Sequence, residues 1–363
     1  MKQRKNIYLE LLRRLEDEEP IVLATIVEAE GATPQVPGAL ALFGERGLLL
    51  GTLGGGILEA DAQERALLCL KNRNSLCYQF ELQGDDVAAG EPICGGFVWI
   101  LVDGSPGSQG STWRRLADAL LARRSGVLVT RIDRQPDDQA RIKRLWLDEK
   151  ESDIEAESAL GRITGKLAQA RRQRKPMLLQ EQGTHPKNRQ TLHFLEPIAP
   201  LPRLLIAGAG HVGQAVARQA AWLDFDVTVI DDRPEYASGE RFPEGISLVV
   251  AEIETAVRAF LVSVDTYVVI VTRGHRHDAE ALRACIHSSA AYIGMIGSRH
   301  KVALMRERFL SEGWASAQEW DRVRTPIGLK IGSRTVEEIA VSIAAELVQV
   351  RSEVREKRAG EAL

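Results

Sequence analysis

The sequence has little of what membrane, secreted or nucleic-acid-binding proteins require. Its four cysteines lack CxxC spacing, which supports neither a disulfide framework nor a zinc ribbon. Apolar runs such as Tyr267–Val271 are far too short to span a membrane, and residues 1–20 form an amphipathic pattern rather than a secretory signal. The net charge of -3 removes the positive field that nucleic-acid binders present. We therefore expect a cytoplasmic protein that contacts neither membranes nor nucleic acid.

The length of 363 residues favours two domains, and a proline-rich segment marks the expected boundary. Pro197, Pro200 and Pro202 fall within a few residues of one another, where they interrupt helices and central strands. We predict an N-terminal domain over 1–196, a linker over 197–202 and a second domain over 203–363.

The second domain alternates short runs of Val and Ile with helical patterns. Continuous rather than alternating apolar strands are typical of strands buried on both faces, so we predict a Rossmann-like, doubly wound parallel sheet. The expected strands cover 204–207, 226–230, 247–250, 266–271 and 291–296, and the expected helices cover 213–223, 256–260, 278–290 and 300–312, with a last helix from 335.

The first domain is less regular, and we predict an α/β fold whose sheet topology stays open. The expected strands cover 21–28, 40–50, 77–82 and 97–102, and the expected helices cover 57–72, 112–124 and 155–172.

A glycine-rich loop in the first domain precedes a predicted helix. Gly54, Gly55 and Gly56 offer backbone N–H groups at a helix start, where the helix dipole favours an anion. No Lys-Ser or Lys-Thr follows, so nucleotide hydrolysis is unsupported, and a static phosphate site or a bend needed only for packing remain. Glu59, in the first turn, either binds a donor on the ligand or complements the dipole.

A second glycine-rich loop fits the dinucleotide fingerprint. Gly208, Gly210 and Gly213, with His211 between them, follow a predicted strand and begin a helix. The acidic pair Asp231-Asp232 ends the next strand at the distance where an acid binds a ribose hydroxyl, and the adjacent Arg233 leaves NADP open. We predict NAD(P) or adenine-nucleotide binding, with close packing alone as the alternative.

Two further loops follow strands of the same predicted sheet, at the edge where ligands bind. Arg273 is a candidate anion contact, and His275 and His277 with Asp278 offer acid–base or metal-binding groups. Asp278 is well placed to cap the next helix. Past the following strand, Ser298 and Arg299 begin another helix with positive charge.

Cys94 precedes two glycines, Gly95 and Gly96, and a predicted strand. This setting is sterically open, as thiolate chemistry requires, but a small buried apolar residue is an equally good interpretation.

Taken alone, these residues leave two other functions open. One is an NAD(P)-dependent oxidoreductase with His275 or His277 as its acid–base group. The other is a sensor in which nucleotide at Gly208–Gly213 changes the domain arrangement, and with it the proteolysis of the Pro197–Pro202 segment.

Taken together, the motifs resemble the XdhC/CoxI family of molybdenum-enzyme accessory proteins. Their order along the chain makes the resemblance specific. The segments that carry it are Gly31–Pro34, Pro37-Gly38, Gly51–Glu59, Cys94–Gly96, Gly208–Gly213, Asp231–Arg233, Thr272–Asp278, Ile293–Lys301, Pro326–Gly332 and Glu337–Ala340.

The resemblance implies a chaperone, rather than a catalyst, that binds molybdenum cofactor (molybdopterin), supports its sulfuration and inserts it into a xanthine dehydrogenase- or aldehyde oxidase-type molybdenum hydroxylase apoenzyme. It also implies a homodimer and a cysteine desulfurase partner. We hypothesise that Gly54–Gly56 holds the cofactor phosphate, and that Cys94 lies near the metal, either as a molybdenum ligand or as a sulfur carrier.

Overall fold

The computed structural model describes residues 6–82, 95–149, 164–181 and 190–360. The chain divides into two compact units, with the boundary between Pro200 and Leu201. Both units combine helices and sheets, as the sequence predicts. Within the described ranges, no helix is long and apolar enough to cross a membrane.

The first unit contains two antiparallel sheets. The strands of the first sheet have the spatial order β3-β2-β1-β5-β4, and those of the second have the order β7-β6-β9-β8. The strands are β1 (Ile21–Gly31), β2 (Leu40–Gly44), β3 (Gly47–Gly51), β4 (Ser75–Leu82), β5 (Gly96–Asp103), β6 (Gly126–Arg134), β7 (Ala140–Asp148), β8 (Met177–Gln180) and β9 (Gln190–Ile198). The described helices of this unit are α1 (Ile7–Glu16), α2 (Gly56–Asn72), α3 (Gly110–Leu121) and α4 (Thr164–Gln173).

Helices cover both faces of the first sheet. On one face α2 contributes Leu58, Ala62 and Ala66 to a core with alternate residues of β1 and β5. On the other face α1 and α3 pack against Ile21 and Leu23 of β1. This double coverage explains why β1 is apolar along its first half, although antiparallel strands usually alternate.

Two predictions for this unit need correction. The single strand predicted over 40–50 is a hairpin of β2 and β3, in which Gly47 takes a φ of +102° at the turn. The linker predicted from residue 197 also begins too early, because β9 continues to Ile198. Pro197 is tolerated there because β8 pairs with β9 only as far as Leu195, which leaves β9 with one neighbour at its end.

The second unit confirms the predicted parallel sheet. Its strand order is β12-β11-β10-β13-β14, which places the topological switch point between β10 and β13. The strands are β10 (Arg203–Ala207), β11 (Asp226–Asp231), β12 (Ser247–Val250), β13 (Thr266–Ile270) and β14 (Tyr292–Met295). The described helices are α5 (His211–Trp222), α6 (Ile253–Ala259), α7 (His275–Cys285), α8 (Arg299–Ser311), α9 (Ala317–Asp321) and α10 (Val336–Gly360).

The two faces of this sheet build separate cores. Helices α5 and α10 cover one face, while α6, α7 and α8 cover the other. The long α10 lies along α5, since its Ile343 and Leu347 share a core with Val216 of α5 and its Arg351 donates to the carbonyl of Leu223 at the end of α5. This packing holds α5, the helix that follows the Gly208–Gly210 turn, against the sheet.

We predict that Gly213→Ala destabilises the protein, although alanine normally favours a helix. A Cβ at residue 213 would lie 1.9 Å from the carbonyl oxygen of Gly208, so α5 would have to move away from the loop. We expect a loss of about 2 kcal/mol or more in the free energy of unfolding, measured in urea. Gly210→Ala is the matched control, because among the described residues no atom lies within 4 Å of a Cβ there. Equal stability of the two variants would contradict the packing role.

Candidate functional site

The loop between β3 and α2 exposes backbone amides at a helix start. Gly54, Gly55 and Gly56 have φ values of +117°, +75° and +58°, which side-chain-bearing residues rarely adopt. Gly55 is the N-cap of α2, and no side chain of the described residues caps this helix. The first amides of an α-helix have no intrahelical acceptor, so they are free to bind an anion.

The three glycines of this loop differ in their surroundings. A Cβ on Gly54 would lie 2.8 Å from Cγ of Pro34, so this glycine is required for close packing. At Gly55 no heavy atom of the described chain lies within 4 Å of an added Cβ, so a ligand has space to approach. Close packing therefore accounts for Gly54, whereas at Gly55 the positive φ favours glycine and the space beside it is open.

Glu59 turns back toward the loop that precedes its own helix. Its Oε2 accepts hydrogen bonds from Oγ1 of Thr52 at 2.7 Å and from the amide of Leu53 at 2.9 Å. The residue is half-buried, and these contacts hold it against the loop. Complementing the dipole, one of the two roles expected from the sequence, is compatible with this position in the first turn of α2.

The turn that runs from Gly31 to Pro34 contacts both glycine segments of this unit, the Gly54–Gly56 loop and the Gly95-Gly96 pair. Gly31 and Gly96 pair across β1 and β5, and the amide of Ala32 donates to the carbonyl oxygen of Gly95 at 3.2 Å. A Cβ on Gly96 would lie 2.4 Å from the carbonyl oxygen of Glu30, so Gly96 is needed for close strand contact. The same turn continues to Pro34, which packs against Gly54, so the structure brings the two glycine segments together.

Cys94 itself lies outside the described residues. The cysteines that are described, Cys69, Cys77 and Cys285, are all buried. Burial raises the pKa of Cys69 to about 11 and the pKa values of Cys77 and Cys285 to about 12, so these thiols stay protonated near neutral pH. Thiolate chemistry is therefore unsupported at any of these three positions.

The glycine loop of the second unit lies at the switch point of the parallel sheet. Gly208 has a φ of +115°, and a Cβ there would lie 2.5 Å from the carbonyl oxygen of Val271, just past β13. Gly210 is the N-cap of α5 and, in the described ranges, an added Cβ there would meet no atom within 4 Å. His211 is exposed as the first residue of α5. Gly208 is therefore closely packed and Gly210 has open space beside it, as the dinucleotide fingerprint predicts.

Asp231 is buried, and its carboxylate is already bound within the protein. It accepts the amide of Ala209 at 2.8 Å and a two-pronged contact from the Arg233 guanidinium, Nε at 2.8 Å and Nη2 at 2.9 Å. Burial alone would raise its pKa, but these donors lower it below the usual value. The carboxylate therefore fixes the glycine loop, and ribose binding would require Arg233 to give way.

The expected capping role of Asp278 is wrong. The N-cap of α7 is Gly274, and Asp278 lies inside the helix with its carboxylate directed back to the loop. That carboxylate accepts the amide of Thr272 at 3.1 Å and its hydroxyl at 2.6 Å, and it also pairs with Lys301 of α8. Asp278 therefore ties the loop after β13 to the helix after β14.

The remaining candidates lie at the same edge. Arg273 pairs with Asp232 at 2.8 Å, and His277 contacts Glu280 at 3.2 Å. His275 and Arg299 are exposed first residues of α7 and α8, and Ser298 caps α8 by accepting the amide of Lys301. Among the residues the structure describes, no group of three or more His, Cys, Asp and Glu side chains is placed to hold a metal, so His275, His277 and Asp278 do not form such a group.

One segment at this edge was not among the residues predicted to form the site. Arg324 and Ile327 hydrogen-bond alongside β14, so the chain beyond Ile327 continues past the carboxyl end of the sheet. There the amide of Gly328 is held by Glu346 of α10 at 2.9 Å, while Lys330 is exposed. The glycine spacing of Gly328 and Gly332 around a lysine was the signal that could have identified it.

Comparisons with known proteins agree across both units. The XdhC and CoxI family profile matches residues 14–81, and the profile of the XdhC Rossmann domain matches residues 204–347. The chain is 28% identical over 359 residues to a probable xanthine dehydrogenase subunit of Bacillus subtilis, covering 96% of this chain and 98% of that protein. It is also 28% identical over 152 residues to the molybdenum cofactor insertion chaperone PaoD of Escherichia coli, covering 42% of this chain and 41% of PaoD.

A solved structure extends the comparison to the fold. A crystal structure described as a xanthine dehydrogenase from Bacillus halodurans superimposes with a TM-score of 0.73 at 25% identity, covering 95% of this chain and 96% of that one. Two profiles from one family match the two units in the expected order, and two of these relatives match over nearly the whole length. The chain therefore belongs to the XdhC and CoxI family.

Proposed function

We propose that this protein binds molybdenum cofactor in its first unit and inserts it into a xanthine dehydrogenase-like apoenzyme. The proposed location of the site rests on the open space at Gly55, which lies beside amides of α2 that lack intrahelical acceptors. The cargo is suggested by relatives, one named as a cofactor insertion chaperone and one as a xanthine dehydrogenase subunit. A phosphate-bearing cofactor fits a helix N-terminus of this kind.

In this proposal the chain binds and shields its cargo rather than converting it. The amides of Gly55 and Gly56 donate to the cofactor phosphate, and the dipole of α2 adds favourable charge. Two exposed side chains provide apolar surface for the ring system of the cofactor: Ile57, which directly follows the loop, and Val36, two residues after the Pro34 that packs against Gly54. Binding through neutral amides lets the cofactor leave without breaking an ion pair with a fixed cation.

Cys94 is the proposed contact for sulfur and molybdenum. It directly precedes Gly95, whose carbonyl is bound to Ala32 in the turn that reaches Pro34 and Gly54. We propose that the chain works as a homodimer that receives sulfur for the cofactor from a cysteine desulfurase, with Cys94 at the point of transfer or ligation.

The second unit is proposed to bind a nucleotide. Gly210 is open and Gly208 is closed against β13, which is the arrangement a pyrophosphate needs at a switch point. This geometry also keeps an NAD(P)-dependent oxidoreductase as the second candidate function, with His275 as its exposed acid–base group.

We predict that Gly55→Asp abolishes cofactor binding, because the new carboxylate fills the open position and repels a phosphate. The protein is purified anaerobically from a molybdate-replete host and assayed for pterin oxidation products and molybdenum. Gly313→Asp is the matched control, since Gly313 also has a positive φ and, within the described ranges, open space around its Cβ position. The proposal is contradicted if the parent holds no pterin even after reconstitution with free cofactor.

We predict that Cys94→Ala separates binding from delivery. Pterin content should stay near that of the parent, because the phosphate site is intact, while activation of the apoenzyme should largely be lost because sulfur or molybdenum contact is missing. Activation is measured as client turnover after mixing with loaded protein. Normal activation by the alanine variant would rule out a role for this thiol.

We predict that NAD(P) binds the second unit without being turned over, and that Gly210→Asp removes this binding. Calorimetry with NAD and NADP measures affinity, and absorbance at the nicotinamide band measures turnover with candidate substrates. Substrate-dependent turnover that is lost in His275→Ala would favour the oxidoreductase instead. Nucleotide-dependent trypsin cleavage near residues 197–202 would favour a sensor.

A further inference from the structure

A short chain of hydrogen bonds supports the phosphate loop from behind. The amide of Gly54 donates to Oγ1 of Thr52 at 3.1 Å, and that hydroxyl donates to Oε2 of Glu59 at 2.7 Å. The same oxygen accepts the amide of Leu53 at 2.9 Å. The Thr52 hydroxyl donates its one proton to the Glu59 carboxylate and accepts the Gly54 amide, so every donor in this series of hydrogen bonds points toward Glu59.

These hydrogen bonds limit the conformational freedom of the three-glycine loop. Glycine has the largest backbone freedom of any residue, so an unsupported loop would visit many conformations in which its amides diverge. The bonds to Glu59 fix residues 52–54, and packing of Gly54 on Pro34 fixes the next peptide. The amides of Gly55 and Gly56 then keep one orientation before any ligand arrives.

We propose that Glu59 is a positioning residue that orders the Thr52–Gly56 loop for phosphate binding and does not itself contact the cofactor. The inference rests on the proposed function, because the phosphate in question is that of molybdenum cofactor. Electrostatics supports it, since a carboxylate facing a phosphate would oppose binding. Directed instead toward Thr52 and Leu53, the charge strengthens two internal hydrogen bonds.

In the opposing interpretation the Glu59 carboxylate contacts the cofactor directly and accepts N–H donors of the pterin. The positioning role and the direct contact predict different effects of Glu59→Gln. Both internal bonds end on one oxygen, Oε2, so the amide oxygen of Glu59→Gln can accept both while the charge and the second acceptor are lost. Glutamine therefore preserves positioning but removes a carboxylate contact with the cofactor, whereas Glu59→Ala removes both.

The first measurement uses the full chain without cofactor. Hydrogen exchange of the Leu53 and Gly54 amides, the two that these hydrogen bonds protect, should be at least about tenfold faster in Glu59→Ala and Thr52→Val than in the parent, and nearly unchanged in Glu59→Gln and Thr52→Ser. Glu64→Ala, an exposed acid on the same helix, is the control that should not alter it. Unchanged exchange in Glu59→Ala would overturn the positioning role.

The second measurement titrates the same variants with free molybdenum cofactor under anaerobic conditions. Binding should weaken at least about tenfold in Glu59→Ala and Thr52→Val, while Glu59→Gln and Thr52→Ser stay within about threefold of the parent; tenfold corresponds to about 1.4 kcal/mol. Equal losses in Glu59→Gln and Glu59→Ala would overturn the inference in favour of direct contact. Full binding by Glu59→Ala would overturn it as well. A parent that binds no cofactor would instead contradict the proposed function, which keeps the two failures distinct.

Discussion

The hydrogen bond from a backbone amide to a carboxylate is the interaction on which the loops of this protein depend. Glu59 accepts the amide of Leu53, Asp231 accepts that of Ala209, and Asp278 accepts that of Thr272. Each bond fixes a loop that leads into a helix. A charged acceptor makes such a bond stronger than a neutral one, and burial of Asp231 and Asp278 limits competition from water.

The acids and the glycines of these loops therefore have different roles. The acids are directed inward, and their charge is met by amides, hydroxyls, Arg233 or Lys301. The glycines leave outward-facing amides at the helix starts, with open space at Gly55 and Gly210. An acid facing outward at either place would repel a phosphate, so the inward hydrogen bonds order the loop and keep negative charge away from the amides. This arrangement suits a protein that holds a reactive anionic cargo and later releases it.

Sequence reasoning could identify the glycine loops and the parallel sheet because both have local signals. Gly208–Gly213 follows a buried strand and begins a helix, and the continuous apolar strands indicate burial on both faces. The hairpin at Gly44–Gly47 was missed although two charged residues between glycines interrupt the apolar run there, which is a local turn signal. The contacts of Asp231 with Ala209 and of Asp278 with Lys301 were beyond prediction, since these partners lie more than twenty residues away and meet the carboxylates only through the strand order. The antiparallel topology of the first unit is likewise set by contacts between distant segments.

The most direct test of the central claim is a crystal structure of the protein loaded anaerobically with molybdenum cofactor. We expect a phosphate within hydrogen-bond distance of the Gly55 and Gly56 amides, with Glu59 still bound to Thr52 and Leu53. A cofactor phosphate held at Gly210 in the second unit, with the first loop empty, would contradict it.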